Sequence, residues 1–323
     1  MGFFEYLGLF VFLYYIIYAI LIVIFDCDLR LAFAERFGVP IDALKDKVIW
    51  ITGASSGIGK HLAYHCAKHG SKVVLSARRE NELQEVKKKC IEQGAKKEDI
   101  LVLPMDMLEI SSHQTKMDTV LKEFGKLDIL VNNAGRSQRA SWEETDIEVD
   151  RQLFELNVFS VVALSRVAVR YFKTVSKGHI AITSSTAGLI PVPFSGSYTG
   201  SKHALHGYFG SLQTEIPEFN IDITLFCPGP TFTDFLQESF TENPGEKFGK
   251  SVQRDDKRMT GERCGELFAI ALANKLDTTW ASIFPISPLT YLTLYFPNIR
   301  YLIFKMLGTR GLMKLRDSKN KTK

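Results

Sequence analysis

Ser185, Tyr198 and Lys202 have the residue types and the spacing that proton transfer at a carbonyl oxygen requires. Tyrosine and lysine four residues apart share one face of a helix, so the ammonium of Lys202 would lie beside the phenol of Tyr198. A nearby cation favours the phenolate, which predicts a Tyr198 pKa below the usual value of about 10. Such a phenol can give a proton to a carbonyl oxygen or take one from an alcohol, while a serine hydroxyl binds the same oxygen. The same spacing also occurs by chance on solvated helices, so this prediction depends on the rest of the chain.

A glycine-rich turn follows an apolar run at residues 47–52 and leads into a helix-like segment. This strand–turn–helix order is the one that a dinucleotide site needs. Gly53 permits a tight turn, Gly57 lets the backbone approach a pyrophosphate, and Gly59 lets the helix pack close to the sheet. The helix N-terminus then faces the phosphates. The spacing is G-x3-G-x-G, so a plain glycine-rich turn stays an alternative when this motif is taken alone.

A third motif, Asn132-Asn133-Ala134-Gly135, ends another apolar run at residues 127–131. Together with TGASSGIG at 52–59, the serine pair at 184–185 and YTGSK at 198–202, in this order, it resembles the classical short-chain dehydrogenase/reductase family. The resemblance covers about residues 45–275. Within that family the chain is most similar to the member 7 group, a membrane-anchored branch, in the stretches ILVLP (100–104), SARR (76–79), KHAL (202–205) and CPGP (227–230).

The resemblance implies a nicotinamide-dependent oxidoreductase in which the protein positions the reactants and manages one proton. Tyr198 would be the acid in reduction or the base in oxidation, Lys202 would also bind the cofactor ribose, and Ser185 would bind the substrate oxygen. Asn157 matches the helical asparagine that supports a proton-relay water, and a bent or capped helix is its alternative role. The expected cofactor-binding residues are Thr52, Gly53, Ser55, Ser56, Gly57, Ile58, Gly59, Arg78, Asp106, Asn133, Ala134, Gly135, Tyr198, Lys202, Pro228, Gly229 and Thr233. Asp106 follows a strand, where aspartate is also a common turn residue.

Apolar strand-like runs alternate with charged helix-like runs along the chain. Strands are predicted near 47–52, 72–77, 100–103, 127–131, 178–184 and 221–227, with a last core strand at about 281–285. Helices are predicted near 57–69, 79–93, 111–124, 145–174, 197–216 and 260–273. This alternation predicts an α/β fold with a Rossmann-type doubly wound parallel sheet in a single domain. The motifs follow strand ends, so we expect them to meet at one edge of the sheet.

The apolar run of residues 6–25 contains twenty residues without a charge. As a helix it would be about 30 Å long, which matches the hydrocarbon thickness of a bilayer and predicts a single transmembrane helix. A cleaved signal peptide is the alternative, since AFA at 32–34 resembles a cleavage site. However, the preceding residues contain no lysine or arginine, and the apolar run exceeds the usual length of about 7–15 residues. We expect an endoplasmic reticulum membrane protein. The basic residues that follow the run favour the cytosolic side for the domain, but the acidic residues among them weaken that bias.

These patterns divide the chain into an anchor (1–28), a linker (29–46), the dehydrogenase/reductase domain (47–285) and an apolar extension with a basic tail (286–323). Prolines 285, 288 and 297 interrupt the extension, which either faces the membrane surface or packs on the domain as a lid. The tail at 305–323 carries seven lysines or arginines and one aspartate, so it either contacts anionic lipid or is a solvated end.

Composition excludes several classes of partner. The net charge is +4, and the sequence has no stripe of basic residues interleaved with aromatic ones. A nucleic-acid partner is therefore not expected. The five scattered cysteines lack any CxxC pair, which argues against a disulfide framework or a structural zinc site. His61, His65 and His69 recur every four residues, but hydride chemistry needs no metal, and a solvated helix face is the preferred interpretation. A homodimer is compatible with the resemblance.

The substrate is expected to be lipophilic. Residues 188–194, between Ser185 and Tyr198, form an almost purely apolar stretch that would disfavour a charged ligand. Beside a membrane anchor, this indicates a retinoid, a steroid or a related lipid. Residues 230–259 lack periodicity, and so long a loop is typical of a substrate lid. The alternative function is a scaffold or sensor that binds cofactor without turnover, although such a protein would usually have lost one of the motif residues.

The end of the second predicted strand indicates NADP(H) as the cofactor. An acidic residue at this position selects NAD by binding the ribose hydroxyls, but here the position holds Ala77. Arg78 follows and offers a fork of donors suited to a 2′-phosphate. The alternative is that Arg78 and Arg79 are solvated charges at the start of a helix.

Overall fold

The structure is a computed structural model that describes residues 2–253 and 256–317. Its central feature is a parallel sheet with the strand order β3-β2-β1-β4-β5-β6-β7. The strands are β1 Val48–Thr52, β2 Lys72–Ser76, β3 Ile100–Val102, β4 Ile129–Asn132, β5 Gly178–Thr183, β6 Ile221–Pro228 and β7 Thr278–Ala281. The order reverses between β1 and β4, and the crevice beyond that point is where open parallel sheets bind ligands.

Helices cover both faces of this sheet. The α-helices of the described chain are α1 Phe3–Ile24, α2 Leu29–Phe37, α3 Gly57–Lys68, α4 Glu80–Glu92, α5 His113–Phe124, α6 Ile147–Phe154, α7 Ser160–Val175, α8 Gly196–Glu215, α9 Gly261–Ala273, α10 Ile286–Tyr295 and α11 Pro297–Asp317. Helices α3, α4 and α9 pack on one face, and α5, α7 and α8 pack on the other. The predicted fold class, a doubly wound parallel α/β sheet, is confirmed.

The strand β1 shows how the sequence builds a core on both faces. Successive side chains of a strand point to opposite faces. Ile49 and Ile51 therefore belong to the cluster under α3 and α9, while Val48 and Trp50 belong to the cluster under α7 and α8. A strand that is apolar at every position is the pattern of a sheet buried on both sides.

The last strand lies earlier than the sequence predicts. β7 covers Thr278–Ala281, where it pairs with Leu225–Pro228 of β6, whereas 281–285 was the expected range. Phe284 is 54% exposed and lies outside the sheet. A prediction from hydrophobicity places the strand too late in the chain, because it follows the apolar residues 280–285. The strand begins with two threonines, which pair with β6 although they are not apolar.

The segment predicted as a linker, residues 29–46, packs on the domain. Its helix α2 buries Leu31, Ala32 and Ala34 against the core that includes α9. The side chain of Asp28 caps this helix and also accepts a hydrogen bond of 2.8 Å from the Trp280 backbone nitrogen of β7. The chain that follows α1 is therefore joined to the sheet edge.

Helix α1 is apolar and unburied. Its most apolar stretch of 18 residues has a mean hydropathy of 2.7, and none of the side chains of this helix is buried. The region Ile147–Val175 is also long and apolar enough to cross a bilayer, but more than half of its apolar stretch is buried inside the domain. Helix α1 is therefore the candidate membrane span, which agrees with the span expected from residues 6–25.

Candidate active site

A cavity of about 1370 Å³ lies at the carboxyl edge of the sheet. It brings together nearly all of the residues that the motifs single out. Those that line it are Thr52, Gly53, Ser55, Ser56, Gly57, Ile58, Arg78, Asp106, Asn133, Ala134, Gly135, Ser185, Tyr198, Lys202, Pro228, Gly229 and Thr233. Gly59 and Asn157 are not part of this lining and lie behind it.

Ser185, Tyr198 and Lys202 converge on one side of the cavity. Ser185 follows β5, while Tyr198 and Lys202 are on α8. The Lys202 ammonium lies 5.7 Å from the centre of the Tyr198 ring and donates a 2.8 Å hydrogen bond to the Thr183 carbonyl oxygen. The Ser185 hydroxyl oxygen accepts a 3.1 Å hydrogen bond from the Ala187 backbone nitrogen. Backbone groups at the end of β5 therefore hold both the serine and the lysine in place.

The expected lowering of the Tyr198 pKa is not what the structure shows. Burial raises the pKa of Tyr198, and a hydrogen bond with Ser185 and the charge of Arg139 oppose this rise only in part. Burial also lowers the pKa of Lys202 to about 8. Tyr198 faces the cavity and keeps some exposure, but the surrounding protein removes the water that would stabilise a phenolate. The phenol therefore holds its proton at neutral pH, as a general acid must.

Asn157 lies in a distorted turn that joins α6 to α7. The π-helical turn Glu155–Phe159 moves the asparagine out of the regular helical ladder. Its side chain accepts a 2.9 Å hydrogen bond from the Arg136 backbone nitrogen and donates one of 2.8 Å to the Arg136 carbonyl oxygen. A Cβ atom on Gly135 would lie 3.0 Å from the Asn157 amide oxygen and 3.7 Å from the Lys202 ammonium. Asn157 therefore fixes the turn after β4 close to Lys202.

The glycine-rich turn has the geometry that the motif predicts. Gly53 and Gly57 have φ values of 64° and 55°, in the left-handed region that favours glycine. A Cβ on Gly53 would lie 2.9 Å from the Ala134 Cα, and one on Gly59 would lie 2.4 Å from the Asn133 amide nitrogen. Helix α3 thus starts at Gly57 and packs directly against the turn after β4.

Thr52 and Asn133 link the two turns. The Thr52 hydroxyl accepts a 3.0 Å hydrogen bond from the Asn133 backbone nitrogen. The Asn133 amide nitrogen donates to the Thr52 and Gly53 carbonyl oxygens, at 3.1 Å each, and its amide oxygen accepts from Thr183. These bonds fix β1, β4 and β5 at one edge of the cavity.

The opposite end of the cavity carries exposed charges. Arg78 follows β2, and among the described residues no carboxylate forms an ion pair with it. Its neighbour Arg79 forms a 2.8 Å ion pair with Glu82. Asp106 accepts a 3.0 Å hydrogen bond from the Leu108 backbone nitrogen, so at least one of its oxygens serves a local turn.

The segment expected as a lid contributes residues of 230–252 and Arg258 to the lining of the cavity. Thr233 lies close to Gly57, and a Cβ atom on Gly57 would come within 3.3 Å of the Thr233 methyl group. The ring of Phe235 makes an edge contact with Tyr198, with centroids 6.0 Å apart. Glu238 forms ion pairs of 3.5 Å with Arg136 and 2.9 Å with Lys247.

Sequence reasoning missed several residues of this site. Arg136 and Arg139 line the cavity, and only their position directly after the Asn-Asn-Ala-Gly motif could have signalled them. Phe304 and Leu312 of α11 also line it. The lid alternative for residues 286–323 agrees with this position, although no local pattern singles out Phe304 and Leu312.

His61 and His65 of α3, and His69 directly after it, do not form a solvated face. His61 and His65 are partly buried and lie 3.4 and 3.6 Å from the carboxylate oxygens of Glu262, because α9 packs across α3. His69 lies 2.7 Å from Asp42. Within residues 2–253 and 256–317, no group of three or more ligating side chains has metal-site geometry.

Comparisons with known proteins agree with this arrangement. The family model for short chain dehydrogenase matches residues 47–244. Dehydrogenase/reductase SDR family member 7 of Homo sapiens is 41% identical over 290 residues, which are 89% of this chain and 85% of that protein. Hydroxysteroid 11-beta-dehydrogenase 1-like protein of Gallus gallus is 41% identical over 213 residues, 64% of this chain and 72% of that protein.

Two solved structures show the same fold. A short chain dehydrogenase/reductase from Burkholderia phymatum in complex with NAD has a TM-score of 0.69 and 23% identity, covering 81% of this chain and 96% of its own. An alcohol dehydrogenase from the archaeon Thermococcus sibiricus complexed with 5-hydroxy-NADP has a TM-score of 0.64 and 23% identity, covering 74% of this chain and 97% of its own. These two structures show the fold, while the matched family model and the relative from Homo sapiens show that this chain belongs to the short-chain dehydrogenase/reductase family.

Proposed function

We propose that this protein is a membrane-anchored, NADPH-dependent oxidoreductase that reduces lipophilic carbonyl compounds. The observation that carries the proposal is the convergence of Ser185, Tyr198 and Lys202 in the cavity that also holds the glycine-rich turn. An acid, a hydrogen-bond donor and a nucleotide-binding turn within one cavity are what carbonyl reduction requires.

Each catalytic side chain has one task. Ser185 donates a hydrogen bond to the substrate carbonyl oxygen and orients it. Tyr198 gives its proton to that oxygen as the carbon accepts a hydride, and the product is an alcohol. Lys202 holds a positive charge beside the phenol, which stabilises the phenolate that remains. The raised pKa of Tyr198 suits the direction of reduction, since the phenol starts protonated.

The residues present fit a nicotinamide dinucleotide, which would supply the hydride. Gly53 and Gly57 adopt backbone conformations that leave no side chain between the backbone and a pyrophosphate, and α3 directs its N-terminus at the same place. Any other residue at position 135 would place a Cβ atom 3.0 Å from the Asn157 amide oxygen. The glycine therefore keeps the turn open beside Lys202. Asn157, Pro228, Gly229 and Thr233 would complete the nicotinamide end.

NADPH is the proposed form of the cofactor. Ala77 stands where an acidic residue would repel a 2′-phosphate, and Arg78 next to it is exposed on the cavity rim. Arg136 lies close enough to Arg78 for its own pKa to be lowered, mainly by burial and further by that charge. An anionic group would relieve this repulsion between two cations.

Several apolar side chains line the cavity. Ile190, Pro191, Val192, Phe235 and Phe304 line it. A lipophilic ketone or aldehyde, such as a retinoid, a steroid or a related lipid, gains binding energy from such a surface. The name of the Gallus gallus relative, a hydroxysteroid dehydrogenase-like protein, supports a steroid as the first compound to test.

The enzyme would be held in the endoplasmic reticulum membrane by α1. No lysine or arginine precedes α1, whereas Arg30, Arg36, Lys45 and Lys47 follow it. The positive-inside rule then favours the cytosolic side for the domain. Protease protection of the domain in sealed microsomes would reverse this placement.

Turnover by the detergent-solubilised full chain, with NADPH and a panel of apolar carbonyls, tests the function. We expect NADPH oxidation and a matching amount of alcohol for at least one lipophilic carbonyl. Tight NADPH binding without turnover across the panel would instead favour the cofactor-binding scaffold. A matched measurement with NADH tests the cofactor choice in the same assay.

Carbonate extraction tests the anchor, and the packing of α2 decides which truncation is suitable. A chain that starts at Asp26 keeps Leu31, Ala32 and Ala34 in the core, whereas one that starts at Lys45 removes them. We expect high-pH carbonate to leave the full chain in the membrane and to release the chain that starts at Asp26. Release of the full chain would contradict the anchor.

A further inference from the structure

We propose that α10 and α11 dock on the lipid bilayer beside α1, so that the substrate cavity opens toward the membrane. The proposed ligand of this surface is phospholipid. The proposal rests on the packing between the two ends of the chain, on the exposure of α11 and on its charge.

The C-terminal end of α1 is seated on α10. Tyr18 and Ile22 pack against a buried cluster that contains Trp280 and Tyr291. The rings of Tyr18 and Tyr291 meet edge to face, with centroids 5.9 Å apart. The Tyr291 hydroxyl accepts a 2.7 Å hydrogen bond from the Leu29 backbone nitrogen. Helix α10 therefore contacts the chain both before and after the turn that follows α1.

This contact sets the depth of α10. Tyr18 lies six residues before the end of α1, which is about 9 Å along the helix axis. If α1 spans the hydrocarbon, a helix packed at Tyr18 lies at the boundary between headgroups and acyl chains. Tyr295 and Phe296 at the end of α10 are 61% and 54% exposed, and aromatic rings prefer this boundary.

Helix α11 is apolar on two faces. Phe304 and Leu312 line the substrate cavity. On its outer face, Tyr301, Leu302 and Met306 are 73%, 55% and 77% exposed. A helix that is apolar on the side facing away from its own domain is unfavourable in water and needs a further apolar partner.

The charge of α11 identifies that partner as an anionic bilayer surface. Lys305, Arg310 and Lys314 are exposed, and no acidic residue precedes Asp317 in this helix. Lysine and arginine beside an apolar face are typical of helices that lie in the membrane interface. A second copy of this chain would need an acidic counterpart for these cations.

The docked arrangement gives a lipophilic substrate a direct path. Phe304 and Leu312 lie on either side of the kink at Gly308, where φ is 57° and ψ is 179°. Both halves of α11 thus border the mouth of the cavity at the bilayer surface, and a compound dissolved in lipid passes beside α11 into the cavity without crossing water. This consequence, unlike the docking itself, rests on the proposed function.

Site-specific fluorescence quenching in nanodiscs tests the docking without any need for activity. All five native cysteines are buried, and burial raises the pKa of each thiol, so added cysteines will label selectively. The full chain would carry bimane at Leu302→Cys or Met306→Cys. The nanodiscs would contain phosphatidylcholine with roughly one fifth phosphatidylserine and an acyl-chain nitroxide lipid. Ile17→Cys on α1 is the positive control. Val175→Cys, at the end of α7 away from the cavity, is the negative one.

We expect at least roughly twofold quenching at positions 302 and 306, as for a residue a few ångströms inside the interface, and none at position 175. Quenching at position 17 alone would overturn the proposal. Cross-linking of position 306 between two copies, without quenching, would also overturn it by assigning the surface to a second chain.

A variant with two added acidic residues tests the path of the substrate. Leu302→Glu with Met306→Glu places two acids on the outer face without touching the cavity lining. We expect a several-fold higher KM for an apolar carbonyl delivered in the bilayer, and an unchanged KM for a water-soluble carbonyl. Equal effects on both substrates would contradict entry from the membrane. If no carbonyl is turned over at all, the proposed function fails, and the quenching result still decides the docking.

Discussion

The two ends of the cavity are built in opposite ways. At the hydride end, Ser185, Lys202 and Asn157 are 8%, 4% and 0% exposed, and each is held by hydrogen bonds to backbone groups. At the opposite end, the adenosine end of the proposed NADPH site, Arg78 is exposed and has no carboxylate partner within the described chain. The packing of β4, β5 and α8 fixes the hydride end. The adenosine end presents a positive charge to the ligand.

This difference separates catalysis from cofactor selection. Proton transfer depends on distances and on a dry environment, so its groups lie where the fold holds them. Selection between NADPH and NADH depends on one phosphate, which a flexible surface cation can recognise. Substitutions at the hydride end should therefore change kcat. Those at the adenosine end should change the preference for NADPH over NADH.

Tyr198→Phe should produce the largest change. The variant keeps the ring that contacts Phe235 but removes the proton to be transferred. We expect kcat to fall by ~10²–10⁴-fold while NADPH affinity stays nearly constant. Single-turnover rates and equilibrium NADPH binding measure the two quantities separately.

Tyr208→Phe is the matched control, because Tyr208 is on the same helix and is 44% exposed at the surface. This variant should behave as the wild type. A near-normal rate in Tyr198→Phe would remove Tyr198 from its role as the acid.

Lys202→Met should lower both the rate and the affinity for cofactor. The substitution removes the buried ammonium beside Tyr198 and leaves a side chain of similar length. We expect kcat to fall by ~10²-fold, with weaker NADPH binding, because Lys202 serves the phenol and the ribose together. The midpoint of thermal unfolding should change little, since loss of a desolvated cation offsets loss of its hydrogen bond to Thr183. A large drop in that midpoint would show a structural role instead.

The hydride end was largely predictable from sequence. Its residues follow apolar strands at fixed spacings, and the ends of parallel strands meet at one edge. The direction of the shift in the Tyr198 pKa was not predictable, since this shift depends on how much protein surrounds the phenol. Desolvation of the phenol is the largest effect, and the groups that oppose it are Ser185 and Arg139 rather than the expected Lys202.

The ends of the chain were less predictable for a different reason. Helix α2 contains Arg30, Glu35 and Arg36, so its local pattern indicates a solvated segment. It packs because Asp28 is held by β7 and because Arg263 of α9 forms ion pairs with Glu35, at 2.6 Å, and with Asp26. These contacts join residues more than 200 positions apart, which no local periodicity can reveal.

Arg78→Ala tests the adenosine end and should have a smaller effect than either substitution above. A charged hydrogen bond to a 2′-phosphate contributes ~1.5–3 kcal/mol, or about ten- to a hundred-fold in affinity. We expect the ratio of kcat/KM with NADPH to that with NADH to fall by this factor, while kcat with NADPH changes little.

Arg79→Ala is the neighbouring control, because the Arg79 guanidinium is already paired with Glu82. The control should keep most of the preference for NADPH. Equal use of the two cofactors by the wild type, or an unchanged ratio in Arg78→Ala, would show that selection lies elsewhere.

The smallest expected effect is a fall in carbonyl reduction at alkaline pH. Burial lowers the pKa of Lys202 to about 8, so its ammonium is present below that pH and is lost above it. The pKa of Tyr198 is raised, so the phenol keeps its proton through the same range and the fall reports Lys202. One pH unit above the pKa only about a tenth of the ammonium remains, which predicts a roughly tenfold lower kcat/KM at about pH 9 than at neutral pH. Initial rates between about pH 6 and pH 10 at constant ionic strength measure the profile. A flat profile would mean that the lysine keeps its charge in the complex, and the hydride end would then be less dry than its burial indicates.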